Sequence, residues 1–157
     1  MKSKRIKNIV VIVFLFSLTL SCEDPEPFVN IKAIESAIYN EIKAHRETNG
    51  VTGNFVHQFV MVKEAQLISA RRANSTDPDT TGIGDHWQII HDKIGGYNDL
   101  TLMQTTNSTD AAEIVAAWTA DSATNAMMLE DFSQCGVGVE YDASNVAYVT
   151  ALMMLVD

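Results

Sequence analysis

Three patterns of apolar and polar residues succeed one another along the chain. Near the N-terminus the run Ile9–Leu20 is almost entirely apolar. From Ile31 onward, apolar residues recur every three or four positions, which is the period of an amphipathic helix. After Gly136 they alternate or run together, which is typical of strands that a sheet buries on one or both faces. The patterns therefore predict a leader, a mainly helical region and a final pair of strands.

The helical region divides into four predicted helices. In the first, Ile34, Ile38 and Ile42 share one face, and Asn49-Gly50 is a stop signal. The last begins at Asp110, which stands three residues before Glu113, the spacing of a capping box. The four helices are Ile34–Glu47, Gln58–Ala73, Asp85–Ile94 and Asp110–Ala120, with a polar loop over Asn74–Thr81 between the second and third.

Three segments have the pattern of strands. Leu100–Thr105 alternates, and Gly136–Tyr141 is joined to Asn145–Val156 by a short polar turn. The last segment is apolar at nearly every position, as expected of a central strand that is covered on both faces. Helices followed by strands, with one strand covered twice, indicate a layered α+β sandwich.

The N-terminal segment has the features of a secretory signal of lipoprotein type. Basic residues precede the apolar run, the run of 12 residues is too short for the roughly 20 that span a bilayer, and Ser21-Cys22 follows. We expect residues 1–21 to be removed, Cys22 to be acylated and residues 22–30 to form a tether. An ordinary signal peptide cleaved nearby is the alternative. The protein is thus predicted to be a membrane-anchored lipoprotein of the cell envelope that faces the periplasm or the cell surface.

Charge and cysteine content exclude some classes of function. Four of the 11 basic residues and none of the 20 acidic residues lie in the leader, so the remaining chain has a net charge near −13. Such a surface repels phosphate backbones, and we expect no nucleic-acid partner. Membrane association should come from the lipid on Cys22. If Cys22 is acylated, Cys135 has no partner for a disulfide, and its simplest role is that of a small buried apolar residue.

Several short motifs stand in an order and spacing that resemble one known family. They are Asn40, Arg46 and Gly50, then His86, Gly96-Tyr97, Trp118, Leu129, Gly136-Val-Gly-Val139 and the apolar segment Tyr148–Leu152. Between about Ile34 and Met153, the chain resembles the CAP superfamily of cysteine-rich secretory, antigen 5 and pathogenesis-related 1 proteins, in its compact bacterial form.

The resemblance implies a three-layer α/β/α sandwich with an antiparallel sheet, in a domain that covers residues 31–157. It also implies a cleft with two histidines and two acidic residues, which sometimes surround a divalent metal. Leu102 stands where the family has a glutamate, and Thr124 where it has the second histidine. Only His86 matches. Because zinc needs three or four ligands, we expect no metal and no other cofactor.

The resemblance and its departures predict a non-catalytic, extracytoplasmic binding or interaction module. A cleft with fewer charges favours a small apolar ligand, and we place it near His86, Gln104 and Thr124. The rival is a pocket filled by the protein's own side chains, which leaves the acidic surface for a protein partner. The alternative function is a divalent-metal-dependent hydrolase of CAP type with a divergent site. The chain has no Gly-x-Ser-x-Gly motif for a serine nucleophile.

Overall fold

The computed structural model describes residues 29–75 and 82–157, which contain five helices and four strands. The predicted leader, Cys22, most of the tether and part of the polar loop lie outside these ranges. The elements are α1 (Ala33–Thr48), β1 (Val56–His57), α2 (Phe59–Asn74), α3 (Ile83–Ile94), β2 (Tyr97–Thr106), α4 (Ala111–Ala120), α5 (Ser122–Met128), β3 (Gln134–Tyr141) and β4 (Ala147–Leu155). All four predicted helices and all three predicted strands are present, with bounds that agree within three residues. No helix in the described ranges is both long and apolar enough to cross a bilayer.

The strands form one sheet in the order β1-β3-β4-β2. Strand β4 pairs antiparallel with both long neighbours, so that Ala151 lies between Val137 and Leu102. The final strand is therefore central, as its apolar pattern predicts. The sheet is antiparallel over its three long strands, and the two-residue strand β1 adds a short parallel pair beside β3.

Helices cover both faces of this sheet and produce two apolar cores. Alternate residues of β4 belong to different cores because successive side chains of a strand point to opposite faces. Val149, Ala151 and Met153 pack on the side of α1 and α4, whereas Leu152 and Met154 pack on the side of α2 and α3. Trp118, on α4, is only 6% exposed. The predicted three-layer α/β/α sandwich and the predicted burial of Trp118 are both confirmed.

Helix α2 lies directly against the backbone of β3. A Cβ atom at Gly136 would overlap the backbone of Met61 and Val62, and one at Gly138 would overlap the backbone of Ala65 and Gln66. The Gly-Val-Gly-Val motif thus has a packing role, because two glycines on one face of β3 let the helix approach closely.

A buried hydroxyl adds a polar contact to the same layer. Ser69, on α2, has its Oγ 2.9 Å from the carbonyl oxygen of Gly138 and 2.9 Å from Oγ1 of Thr150. The contact joins α2 to both β3 and β4 beside Gly138, one of the two glycines against which the helix packs.

Helix α1 completes the edge of β3 where β1 ends. The buried carboxylate of Glu35 accepts a hydrogen bond of 3.0 Å from the backbone N–H of Val139, and Lys32 donates to the carbonyl of the same residue. Glu35 also accepts hydrogen bonds of 2.8 Å from Gln66 and from the backbone of Lys32. Beyond the two residues that β1 covers, the edge groups of Val139 are therefore satisfied by Glu35 of α1 and by Lys32, which precedes the helix.

The buried guanidinium of Arg46 fixes the other end of α1. It donates to the carbonyl oxygens of Met128, Glu130 and Phe132, which lie in the turn between α5 and β3. Its central carbon lies 4.5 Å from the centroid of the Phe55 ring. Arg46, one of the motif residues, is thus a structural residue that satisfies three carbonyls in one turn.

An aromatic stack joins α1 to β1. The rings of Tyr39 and His57 lie 4.4 Å apart and are tilted by 4°, and Tyr39 also stacks on Phe55 at 5.7 Å. Nε2 of His57 is buried without a hydrogen-bond partner among the described residues. Burial lowers the pKa of His57 below its ordinary value of 6.5.

We expect Gly138→Ala to destabilise the domain by about 3 kcal/mol or more, because the new methyl group would overlap the backbone of α2. Urea denaturation followed by circular dichroism measures the effect. Gly84→Ala is the matched control, because a Cβ there meets nothing within 4 Å and the change should alter stability by less than about 1 kcal/mol. Equal effects of the two substitutions would contradict the packing role of Gly138.

His57 should make stability depend on pH. Because the folded state holds its pKa below 6.5, the unfolded state binds more protons as the pH falls below that value, and stability is lost down to the folded-state pKa. His57→Phe keeps a ring for the stack and removes the titration. The melting temperature of the natural protein should therefore fall more than that of His57→Phe between about pH 7.5 and pH 5.5. Parallel curves for the two proteins would refute this role.

Candidate functional site

A pocket of about 320 Å³ lies between α1 and α4. This volume is at the lower end of the range for small-molecule sites. Four small apolar side chains form part of its wall, and the others are polar. The lining residues are Glu41, Ala44, His45 and Thr48 from α1, and Ala112, Val115, Ala116 and Thr119 from α4. The pocket is an open groove between the two helices, because five of its lining residues are exposed, namely Glu41, Ala44, Thr48, Ala112 and Ala116.

The start of α4 is held by a short chain of hydrogen bonds. Asp110 accepts a hydrogen bond of 2.8 Å from the backbone of Ala112, as an N-cap does. Glu113 does not complete the predicted capping box directly. The hydroxyl of Ser108 links the two residues. It donates a hydrogen bond of 2.7 Å to Glu113 and accepts one of 3.1 Å from the backbone N–H of Asp110. These bonds fix the position of the turn that carries Ala112 and Ala116.

His45 joins the pocket to α5. Its Nε2 lies 2.7 Å from Oδ1 of Asn125. An amide oxygen only accepts, so Nε2 is the donor of this hydrogen bond, and when the ring is neutral Nδ1 is an acceptor. Asp121 caps α5 by accepting a hydrogen bond of 2.8 Å from the backbone of Thr124, and this bond lowers the pKa of Asp121. Asn125 is thereby positioned beside α1.

The three residues predicted to line a cleft do not lie together. Thr124 is half-buried near the start of α5, one residue before Asn125. Gln104 lies on β2 opposite Val149, and it shares a face with Leu102, which packs in the core beneath α1 and α4. Its Oε1 is buried without a partner among the described residues. Gln104 and Thr124 are thus on the pocket side of the sheet, although neither lines the pocket.

His86 lies on the opposite side of the sheet. It is carried by α3, and its Nδ1 is 2.7 Å from Oε2 of Glu64 on α2. The side chains of His86 and Glu64 are 17% and 4% exposed. The neighbouring Trp87 donates a hydrogen bond of 2.9 Å to Thr101 of β2. His86 therefore helps to attach α3 to α2, and the sheet separates it from Gln104 and Thr124.

The described residues form neither a group of metal ligands nor a reactive thiol. Within residues 29–75 and 82–157, no three His, Cys, Asp or Glu side chains form a group that could hold a metal ion. Cys135 is fully buried on β3, and burial raises the pKa of its thiol far above the ordinary value. The thiol stays protonated, which confirms the interpretation of Cys135 as a small buried apolar residue.

The pocket residues were not singled out by sequence patterns. Glu41, His45 and Thr48 recur at intervals of four and three, so they form a polar ridge on α1 beside the apolar stripe. Ala112 and Ala116 likewise share a face of α4. These spacings can be found in the sequence, but they do not show that this face of α1 lies opposite this face of α4.

Several solved structures, including the following two, are similar to this fold. An outer surface protein from Borrelia burgdorferi matches with a TM-score of 0.64 at 17% sequence identity, and the match covers 82% of this chain and 97% of that chain. Venom allergen-like protein 4 from Schistosoma mansoni matches with a TM-score of 0.56 at 15% identity, and the match covers 80% of this chain and 90% of that chain. No family model and no curated protein sequence matches the chain.

Similarity at these identities describes the fold alone. The venom allergen-like neighbour has the sandwich that the motif spacing implies, and the match extends over most of both chains. The resemblance drawn from Arg46, Trp118 and the Gly-Val-Gly-Val segment is therefore confirmed at the level of architecture: this chain has the CAP fold.

Proposed function

We propose that this CAP-fold domain is a non-catalytic binding module of the cell envelope, and that the pocket between α1 and α4 holds a small, mostly apolar ligand. The observation that carries the proposal is the pocket itself, about 320 Å³ with Ala44, Ala112, Val115 and Ala116 in its lining. Burying apolar ligand surface there contributes about 25 cal/mol for each Å² removed from water.

The residues at two family positions support a role in binding without catalysis. Leu102, where the resemblance implies a glutamate, is 5% exposed and packs in the apolar core. Thr124 replaces the second histidine, and its backbone N–H is engaged by Asp121. A leucine side chain cannot transfer a proton or ligate a metal, so chemistry that depends on a carboxylate at this position has no group to perform it.

The location outside the cytoplasm has separate support. The leader pattern ends at Ser21-Cys22, a junction typical of lipoprotein signals. One structural neighbour of the domain is an outer surface protein. Both observations favour a domain that a lipid on Cys22 holds at a membrane surface.

A pocket-filling substitution tests the binding role. N-phenyl-1-naphthylamine, a neutral apolar dye, should become fluorescent in the presence of the domain. Ala116→Phe should weaken its binding about tenfold, since the loss of roughly 60 Å² of apolar contact corresponds to about 1.5 kcal/mol.

Ala117→Phe is the matched control, because Ala117 is exposed on the same helix and does not line the pocket. This variant should bind the dye as the natural protein does. Absence of dye binding, or an equal loss in both variants, would refute the pocket as a binding site.

The anchor is tested on native protein. Mass spectrometry of the mature N-terminus should show a diacylated or triacylated Cys22. Cys22→Ala should leave the precursor uncleaved or release the domain from the membrane fraction. A mature N-terminus at another residue, without lipid, would contradict the proposed anchor.

A further inference from the structure

The polar groups of the pocket all have their protons engaged within the protein. The Thr48 hydroxyl donates to the carbonyl of Ala44 at 2.8 Å. The Thr119 hydroxyl donates to the carbonyl of Ala116 at 3.1 Å. Nε2 of His45 donates to Asn125 at 2.7 Å. Toward a ligand the two hydroxyls retain acceptor lone pairs, because each has already used its proton. Nδ1 of His45 is an acceptor as well when the ring is neutral.

The remaining polar lining residue carries a negative charge. Glu41 lies on α1 one helical turn before His45, and its carboxylate is an acceptor with no proton to donate. Neither lysine nor arginine lines the pocket. The two nearest cations in α1 are engaged elsewhere, since Lys43 lies 4.0 Å from Glu47 and Arg46 donates to the turn after α5.

A ligand head that suits this lining must supply donors and positive charge. A carboxylate or phosphate would be repelled by Glu41 and would find acceptors where it needs donors. A hydroxyl could donate one hydrogen bond. A primary ammonium supplies three donors, no acceptor and a positive charge opposite Glu41, while its hydrocarbon body covers the alanines.

We propose that the pocket between α1 and α4 is specific for a primary ammonium group on a small apolar body, with Glu41 as the counter-charge and His45, Thr48 and Thr119 as acceptors. This inference rests on the proposed binding function and names the chemical class of its ligand. It is carried by the direction of three internal hydrogen bonds together with the sign of the one fully charged lining residue.

Three probes with the same eight-carbon chain test the head group: octylammonium, octanol and octanoate. Isothermal titration calorimetry at neutral pH and physiological ionic strength keeps long-range attraction to the acidic surface small. Octylammonium should bind most tightly and octanoate most weakly. Ala116→Phe should weaken the binding of octylammonium, which places it in the pocket.

Glu41→Gln should weaken the binding of octylammonium about fivefold to tenfold, because it removes one charged hydrogen-bond partner. The affinity for octanol should stay unchanged. Glu47→Gln is the matched control. It removes the same charge from the same helix, but Glu47 is paired with Lys43 and does not line the pocket. It should leave all three affinities as they are.

The outcomes separate this inference from the function on which it rests. Octanol binding as tightly as octylammonium, with no effect of Glu41→Gln, overturns the ammonium specificity and leaves the apolar pocket standing. Equal losses in Glu41→Gln and Glu47→Gln overturn it as well, since they indicate attraction to net charge. Failure of both the naphthylamine dye and octylammonium to bind overturns both proposals.

Discussion

The close approach of helix α2 to strand β3 is the constraint on which the other layers depend. At Gly136 and Gly138 no side chain separates the helix from the strand, and α2 covers both β3 and β4. On this side of the sheet the side chains of Thr150, Leu152 and Met154 of the central strand are buried. The contact of α2 with β3 also places Glu64 where His86 can reach it, so the attachment of α3 follows from the seating of α2.

Polar side chains hold α1 on the opposite face of the sheet. Near its N-terminus, Glu35 and Lys32 satisfy the free edge of β3 at Val139. Near its C-terminus, Arg46 satisfies three carbonyls of the turn after α5. The buried side chains of Glu35 and Arg46 thus hold both ends of α1, and the helix between them packs against α4. The pocket is therefore a consequence of how the helix is anchored.

The character of the pocket follows from the same internal bonding. The hydroxyls of Thr48 and Thr119 donate hydrogen bonds to carbonyl oxygens of their own helices, and Nε2 of His45 donates to Asn125 of α5. A helix commonly uses threonine in this way, because the hydroxyl can reach the carbonyl three or four residues before it. The pocket therefore combines hydrogen-bond acceptors and a carboxylate with an apolar lining of alanines and Val115. In contrast, the positions at which the resemblance implied a glutamate and a second histidine hold Leu102 in the core and Thr124 on α5.

Local sequence patterns determined the long elements, because each has an apolar period or an unbroken apolar run of its own. The spacing of Ile31, Ile34, Ile38 and Ile42 by three and then four residues predicted α1, and the apolar run after Asn145 predicted the central strand. They did not predict the seven-residue helix α5, which depends on its Asp121 cap more than on an apolar face. They also missed β1, since two residues form a strand only because the edge of β3 supplies their partners.

The composition of the site was decided by the tertiary structure. His86, Gln104 and Thr124 follow one another in a plausible order along the chain, but the sheet lies between the first and the other two. Which face a helix covers depends on how the chain crosses the sheet, and no local period records that path. The sequence by itself thus determined the four long helices, the three long strands and their apolar faces. Only the packing of α1 against α4 decided that Glu41, His45 and the alanines of both helices share one pocket, because that proximity joins residues about 70 positions apart.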